Sequence, residues 1–183
     1  MEFAEVGITA RRMKATGVAL GTSPLPYRLD YRFESRSRFL TKSIEVVSRG
    51  QGWRRSLRLE RDKLGEWDAN WETHGEALLP PPTGDMNDLS SSLDCDLALS
   101  PLTNTMPVLR HDLLHGGGPV EFLMAWISVP DLSVIPSQQR YTFVRTDELI
   151  SVVRYESGDF AADIVLDEDG LVLEYPGLGH RVG

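Results

Sequence analysis

The 183-residue chain has one cysteine and no apolar run as long as the roughly 18 residues that a membrane-spanning helix needs. One cysteine cannot form an internal disulfide, so the composition fits a reducing compartment. The first 18 residues also lack the apolar core of a signal peptide, and no lipid-attachment cysteine lies near the start. We therefore expect a cytoplasmic protein with no transmembrane segment.

The motifs of common enzyme classes are missing as well. The string His115-Gly116-Gly117-Gly118 looks like an oxyanion-hole motif, but no Gly-x-Ser-x-Gly nucleophile elbow accompanies it. The chain also has no Walker loop, no Ser-x-x-Lys and no Gly-x-Gly-x-x-Gly string. We therefore expect no cofactor and assign no catalytic residue. An enzyme stays an alternative that no sequence motif supports.

Structural roles explain the candidate metal ligands and the single thiol better than chemical roles do. His111 and His115 have the spacing of two zinc ligands on a helix, but the glycine run that follows ends the helix there, so we expect no metal site. Cys95 lies between Asp94 and Asp96, whose negative charges would destabilise a reactive thiolate. Strand alternation instead predicts that Cys95 is a small buried side chain.

Charge is distributed unevenly along the chain. Residues 1–63 contain 14 Lys/Arg and 7 Asp/Glu, whereas residues 64–183 contain 5 and 20. A basic first third can indicate nucleic acid or an anionic surface as partner. The whole chain has a net charge of −8 and a sequence pI near 5.0. We therefore favour an arrangement in which the basic part and the acidic part lie side by side and their charges offset each other, and we expect no nucleic-acid partner.

Hydrophobic periodicity predicts an all-β protein. Residues 28–34 alternate strictly, with Leu29, Tyr31 and Phe33 on one face, which is typical of a half-buried strand. Similar patterns predict further strands at 41–49, 55–61, 120–129, 141–145, 149–156, 160–166 and 171–175. Together they indicate one domain over residues 1–183 with about ten strands, an all-β barrel, roll or sandwich.

Two segments break this pattern. Residues 78–92 contain a proline run and a serine run, which predict a long surface loop within the domain. The second segment is predicted to form one short helix near 103–114, with Pro107 in its first turn and Asn104 as its cap. We expect Asn104 to cap this helix or to bind a neighbouring backbone group, and so to fix the corner between strand and helix.

Several longer strings resemble one known family. They are Asp94-Cys95-Asp96-Leu97-Ala98-Leu99-Ser100-Pro101-Leu102-Thr103-Asn104-Thr105-Met106-Pro107, Arg154-Tyr155-Glu156-Ser157 with Phe160 and Asp163, Asp169-Gly170-Leu171-Val172, and Tyr175-Pro176-Gly177-Leu178. Leu29-Asp30-Tyr31 and the stretch from Trp53 to Trp67 also fit. In these strings the chain is similar to the bacterial putative glycolipid-binding family.

The resemblance implies a single β-rich domain, a spiral β-roll or barrel of about ten or more antiparallel strands, which has been compared with lipoprotein carriers of acyl chains. It implies non-enzymatic binding of an amphipathic ligand, a glycolipid or another acylated lipid, in an apolar barrel interior. On that basis we expect acyl chains near Phe33, Trp126 and Tyr155, and a polar head group near Arg154 and Asn104. Aromatic side chains in a barrel of this size can line such a cavity.

Two alternatives stay open. An enzyme using the same cavity would need a titratable side chain with a shifted pKa, and Asp163 and Glu156 are the candidates. A protein-interaction module would use the basic first third or the loop at 78–92.

Overall fold

The computed structural model describes residues 1–182, which form two β-sheets. Sheet A is an antiparallel meander of six strands in chain order: β1 (Glu2–Thr9), β2 (Arg12–Gly21), β3 (Tyr27–Ser35), β4 (Thr41–Gly50), β5 (Trp53–Arg61) and β6 (Trp67–Gly75). The strands predicted from alternation over 28–34, 41–49 and 55–61 are confirmed as β3, β4 and β5.

Sheet A curls into a half-barrel whose concave face is apolar and whose outer face is charged. Every second residue along these strands points inward and is buried, among them Leu29, Phe33, Ile44, Leu57 and Leu59. The intervening residues carry ion pairs across neighbouring strands, such as Lys14–Glu34, Arg49–Asp30 and Arg58–Glu45. This is the two-residue period of a sheet with one buried face.

Aromatic rings fill the concave face by lying across glycines of the neighbouring strand. Tyr31 is the cross-strand partner of Gly17, and a Cβ on Gly17 would lie 2.3 Å from the Tyr31 ring. The same relationship recurs in the partner pairs Gly21–Tyr27 and Gly50–Trp53. The bare backbone thus lets each ring cover its neighbour strand, a device known to stabilise glycine positions in sheets.

The segment between the two sheets is held against sheet A. It contains a 3-10 turn at Met86–Leu89, and Leu89 is fully buried in the shared core. The buried guanidinium of Arg55 donates hydrogen bonds to the carbonyl oxygens of Leu79, Pro80 and Asp131. The stretch predicted as a loop at 78–92 therefore contains no strand, but is fixed at both ends.

Sheet B contains β7 (Asp94–Leu97), β8 (Val120–Ile127), β9 (Val134–Asp147), β10 (Ile150–Ser157), β11 (Phe160–Leu166), β12 (Val172–Tyr175) and β13 (Gly179–His180). These strands are neighbours in chain order, and all adjacent pairs are antiparallel except β7 and β8, which are parallel. The predicted strands are present, and the one predicted at 141–145 is part of the longer β9.

The connection between β7 and β8 carries the helix. A 3-10 turn at Pro101–Asn104 leads into α1 (Thr105–Arg110), the single α-helix of the described residues. The helix predicted near 103–114 is thus confirmed but shorter, because hydrogen-bonded turns follow from His111 onward. A parallel pair needs a crossover of this kind, since its strands cannot be joined by a tight hairpin.

Sheet B is buried on both faces near β7 and β8. Cys95, Leu97, Ala125 and Ile127 belong to the core shared with sheet A, and the burial raises the pKa of the Cys95 thiol as expected for a structural cysteine. On the opposite face a second core forms beneath α1, with members Val108, Leu113, Leu114, Tyr141, Val153, Tyr155, Ala162, Ile164, Leu166 and Tyr175. The all-β class is confirmed, and residues 1–182 include no helix long and apolar enough to cross a membrane.

Candidate functional site

Three of the five predicted binding residues lie on the α1-facing side of sheet B. Trp126 is half-buried on β8, Tyr155 is buried on β10, and Asn104 ends the 3-10 turn above them. The hydroxyl of Tyr141 on β9 receives a hydrogen bond from Asn104, and its ring meets Tyr155 edge-on at 5.2 Å between centroids. Tyr141 therefore connects two of the predicted residues.

The expectation that Asn104 caps α1 or binds a backbone group is wrong. Its side chain makes no capping hydrogen bond, and its Nδ2 instead donates to Tyr141 Oη at 2.6 Å. The backbone of Asn104 is itself helical, because the preceding 3-10 turn already continues into α1. A residue with helical backbone geometry cannot place its side chain as a normal N-cap does. Asn104 instead fixes the corner between strand and helix through its bond to Tyr141, a side chain of sheet B.

Asp96 is the centre of a buried hydrogen-bond network at this place. Its Oδ1 accepts from Thr103 Oγ1 at 2.7 Å, and its Oδ2 accepts from Gln139 Nε2 at 2.7 Å. Gln139 in turn accepts a longer bond, 3.4 Å, from Tyr141 Oη. Burial raises the pKa of Asp96 above the ordinary range of an aspartate. The network ties β7, β9 and the 3-10 turn together.

A second acidic side chain, Asp94, is buried beside this network. Asp94 Oδ2 accepts a short hydrogen bond from Arg110 Nη2, and both side chains are almost fully buried. Asp94 Oδ1 and Arg110 Nη1 have no hydrogen-bond partner among the described residues. The guanidinium also lies over the Phe122 ring at 5.9 Å. The end of α1 is thus anchored to sheet B by a buried ion pair.

Aromatic side chains border the network. Tyr155 lies 6.0 Å from both Phe160 and Tyr175, measured between ring centroids, and burial raises the pKa of Tyr155 to about 12. Phe160 is 49% exposed, and Ile135, the cross-strand partner of Trp126, is 45% exposed. Exposed apolar side chains therefore lie on the same sheet face as buried hydrogen-bonding groups.

We call this arrangement the sheet B site. Its polar part comprises Asp96, Asn104, Gln139 and Tyr141, and its aromatic and aliphatic border comprises Trp126, Ile135, Tyr155, Phe160 and Tyr175.

Arg154 lies on the opposite face of β10 from Tyr155. It is exposed and binds Asp163 at 2.8 Å, so it contributes no group to the sheet B site. Glu156, on the same outer face, lies 3.8 Å from Arg140. The two acids named for an enzyme, Asp163 and Glu156, are thus members of outer ion pairs, as the alternation along β10 requires.

Phe33 lies apart from the other predicted residues. It is 1% exposed and packs in the core between sheet A and sheet B, among side chains that are also almost fully buried. In the described residues this part of the half-barrel is filled by the protein's own side chains, so Phe33 has a packing role there.

The sequence patterns do not indicate Asp96, Gln139 and Tyr141 as members of the site. Asp94 and Asp96 alternate with apolar residues, a pattern that ordinarily indicates a solvent-facing strand face, yet both are buried under α1. A signal was present in the dense polar string from Asp94 to Asn104, because many side-chain donors and acceptors beside a chain reversal often bond one another.

Two open clefts lie on sheet A. One of about 560 Å³ is lined by Trp53, Arg55, Thr73, His74, Gly75, Glu76, Ala77 and Leu78, and one of about 460 Å³ lies on the outer face around Phe3, Val18 and Val47. Within residues 1–182, no group of three or more His, Cys, Asp or Glu side chains could hold a metal ion.

Comparison with known proteins places this geometry in a family. A crystal structure of a DUF1089 family protein from Pseudomonas aeruginosa is 29% identical to the chain, with a TM-score of 0.74, and the match covers 99% of this chain and 92% of that one. A search of the curated proteins found no match. The model of the family described as "Putative glycolipid-binding" matches residues 1–181, and the chain therefore belongs to that family.

Proposed function

We propose that the protein binds an amphipathic ligand, a glycolipid or another acylated lipid, at the sheet B site and without catalysing a reaction. The observation that carries this proposal is the placement of exposed apolar side chains beside a buried hydrogen-bond network on one sheet face. Ile135 and Phe160 are 45% and 49% exposed, and Asp96 and Gln139 lie buried nearby. Apolar side chains beside a few polar groups are the composition typical of small-molecule sites.

The apolar border supplies the affinity. Each methylene of an acyl chain that leaves water contributes about 0.8 kcal/mol, so contact with Trp126, Ile135 and Phe160 favours a long chain over a short one. Aromatic rings also present broad surfaces with little side-chain entropy to lose. The proposal therefore predicts that binding tightens with the length of the acyl chain.

The polar part supplies orientation. Asn104 donates from its Nδ2 to Tyr141, and its Oδ1 accepts no hydrogen bond from the described residues, so this oxygen can accept one from a hydroxyl group of a sugar or glycerol head group. Gln139 uses both of its amide atoms within the network and holds the other members in place. Both oxygens of Asp96 are occupied by Thr103 and Gln139, which leaves that carboxylate bound within the protein. An orienting role fits these groups better than proton transfer does.

The location that we propose for the ligand differs in part from the one expected from the sequence. Phe33 lies in a filled core, and Arg154 lies on the outer face, so neither takes part in the proposed site. Asn104, Trp126 and Tyr155 keep the roles expected of them as part of the proposal. The single cysteine is a buried free thiol, which suits the cytoplasmic location that we propose.

Native mass spectrometry of the purified protein tests the function. We expect a bound lipid, or uptake of dodecyl maltoside added below its micelle concentration. Ile135→Asp should abolish uptake, because a charge would then lie in the apolar border. Val144→Asp is the matched control, since Val144 is equally exposed at 45% on the same strand but lies nearer the hairpin tip. Equal uptake by both variants, or no uptake by the wild type, contradicts the proposal.

A further inference from the structure

Arginines from two segments meet at one end of sheet A. Arg11 lies in the turn between β1 and β2, Arg12 is the first residue of β2, and Arg38 lies in the turn between β3 and β4. The two turns touch, because Phe39 N donates a hydrogen bond to Arg11 O at 3.2 Å. We call Arg11, Arg12 and Arg38 the arginine corner.

The corner has no neutralising partner among residues 1–182. All three arginines are exposed, and none forms an ion pair with a described carboxylate, whereas most arginines on the outer face of sheet A do. Glu34, the nearest acid along β3, already accepts hydrogen bonds from Lys14 and Lys42, and these two lysines lower its pKa to about 2. The local excess of positive charge is therefore uncompensated.

The corner is also built rigidly. Arg38 and Phe39 both have left-handed backbone conformations, with φ of 63° and 57°, which is costly for residues other than glycine. The Phe39 side chain is buried at 8% exposure and anchors the turn in the core. A strained turn held in this way presents Arg38 beside Arg11 in a fixed position, and strain of this kind is often found where a surface has a function.

The corner adjoins the sheet B site through α1. His111, at the end of α1, is close enough to Arg38 and Arg110 that their charges add to the effect of burial in lowering its pKa. Its ring stacks on Phe122 at 5.7 Å, and Phe122 stacks on Tyr141 at 5.3 Å. A continuous aromatic stack thus runs from the corner to the site.

We propose that the arginine corner docks the protein against the anionic head groups of a lipid bilayer. This inference rests on the proposed function, since a lipid-binding protein must approach the bilayer that holds its ligand. Residues 64–183 carry 20 acidic and 5 basic side chains. Their negative charge would repel a long polyanion, but the flat surface of a bilayer can still reach the one corner. Arginine guanidinium groups bind lipid phosphates in a bidentate manner.

Co-sedimentation with vesicles tests the proposal. We expect the wild type to bind vesicles of phosphatidylcholine mixed with phosphatidylglycerol, and to bind pure phosphatidylcholine weakly. The triple variant Arg11→Gln, Arg12→Gln, Arg38→Gln should bind roughly a hundredfold more weakly, since each basic residue contributes about fivefold. The double variant Arg11→Gln, Arg12→Gln, which leaves the strained turn unchanged, should bind roughly twenty-five-fold more weakly.

The matched control replaces Arg32, Lys63 and Arg145 with Gln. These residues are also exposed and also lack an ion pair within the described part of the chain, so the net charge changes equally. The control should keep its binding within about threefold, because total charge alone acts weakly at physiological salt. Equal losses in both triple variants, or no vesicle binding by the wild type, would overturn the inference.

Two further measurements separate the outcomes. Binding of a labelled DNA fragment at physiological salt without vesicle binding would assign the corner to nucleic acid and overturn the proposal. Uptake of dodecyl maltoside by the triple variant should match the wild type, because the corner is not part of the sheet B site. Normal uptake with absent vesicle binding rejects only the docking inference, whereas absent uptake with normal vesicle binding rejects only the proposed function.

Discussion

Asn104 Nδ2 lies 2.6 Å from Tyr141 Oη, and this bond joins the crossover connection to the middle of sheet B. Both side chains are at most 3% exposed. The bond holds the 3-10 turn over the sheet and places Asn104 in the sheet B site. The corner between strand and helix thus depends on a contact between residues 37 positions apart in the chain.

Asn104→Ala should lower the free energy of unfolding by about 1–3 kcal/mol, because the buried Tyr141 hydroxyl loses its shorter hydrogen bond. Tyr141→Phe removes the other partner, and chemical denaturation of both single variants and the double variant gives the coupling energy. We expect a coupling of at least 0.5 kcal/mol, as for other directly bonded pairs. Additive losses would show that the bond contributes nothing to stability.

Asp96→Asn should change how stability depends on pH. Burial raises the pKa of Asp96 in the folded state, so the folded protein is favoured while this carboxyl is protonated, and the advantage is lost as pH rises. Relative to the wild type, the Asn variant should therefore gain stability from about pH 4 upward, since unfolded aspartate titrates near 3.9. Urea unfolding over a pH series measures the difference, and a difference independent of pH would contradict the assignment.

Gly17→Ala should destabilise the protein by about 1–3 kcal/mol, the usual effect of overpacking a filled core. The new Cβ would lie 2.3 Å from the Tyr31 ring and would displace the hydroxyl that donates to Glu2 at 2.6 Å. Gly7→Ala is the control, since its Cβ would meet only Lys14 O at 4.0 Å. Thermal unfolding should show Gly7→Ala unchanged or slightly stabilised; a similar loss at both glycines would contradict the packing described for Tyr31.

Arg55→Lys should loosen the segment that connects the sheets. A lysine cannot reproduce the planar fork that serves the carbonyls of Leu79, Pro80 and Asp131. We expect faster limited proteolysis near residues 78–84 and a stability loss of about 2 kcal/mol from unpaired carbonyl groups. Arg54→Lys, at a half-buried neighbour that pairs loosely with Glu72, should behave as the wild type does.

Local patterns predicted most of the strands. Strict alternation identified β3, and β11 was predicted with its exact ends at Phe160 and Leu166. The hairpin turn after it contains Gly170 in a left-handed conformation, with φ of 75°. These elements are decided by the burial of one face, which the sequence displays directly.

The site was less predictable, because it depends on contacts far apart in the chain. Asp96 bonds to Gln139 from 43 positions away, and nothing in either local pattern indicates that pairing. The parallel arrangement of β7 and β8 was also unforeseen, since the crossover between them contains only a short helix. Alternating aspartates look solvent-facing until α1 is known to cover them.

The central claim is that ligand binds at the sheet B site, and the four tryptophan indole N–H signals test it most directly. Trp126 borders the site, whereas Trp53, Trp67 and Trp71 lie in sheet A, with Trp53 lining the cleft of about 560 Å³. In a titration with dodecyl maltoside below its micelle concentration, followed by ¹H–¹⁵N NMR and assigned by single Trp→Phe variants, we predict that the Trp126 signal shifts and saturates while the other three stay in place. A saturating shift of Trp53 with Trp126 unmoved would place the ligand in the sheet A cleft and contradict the account.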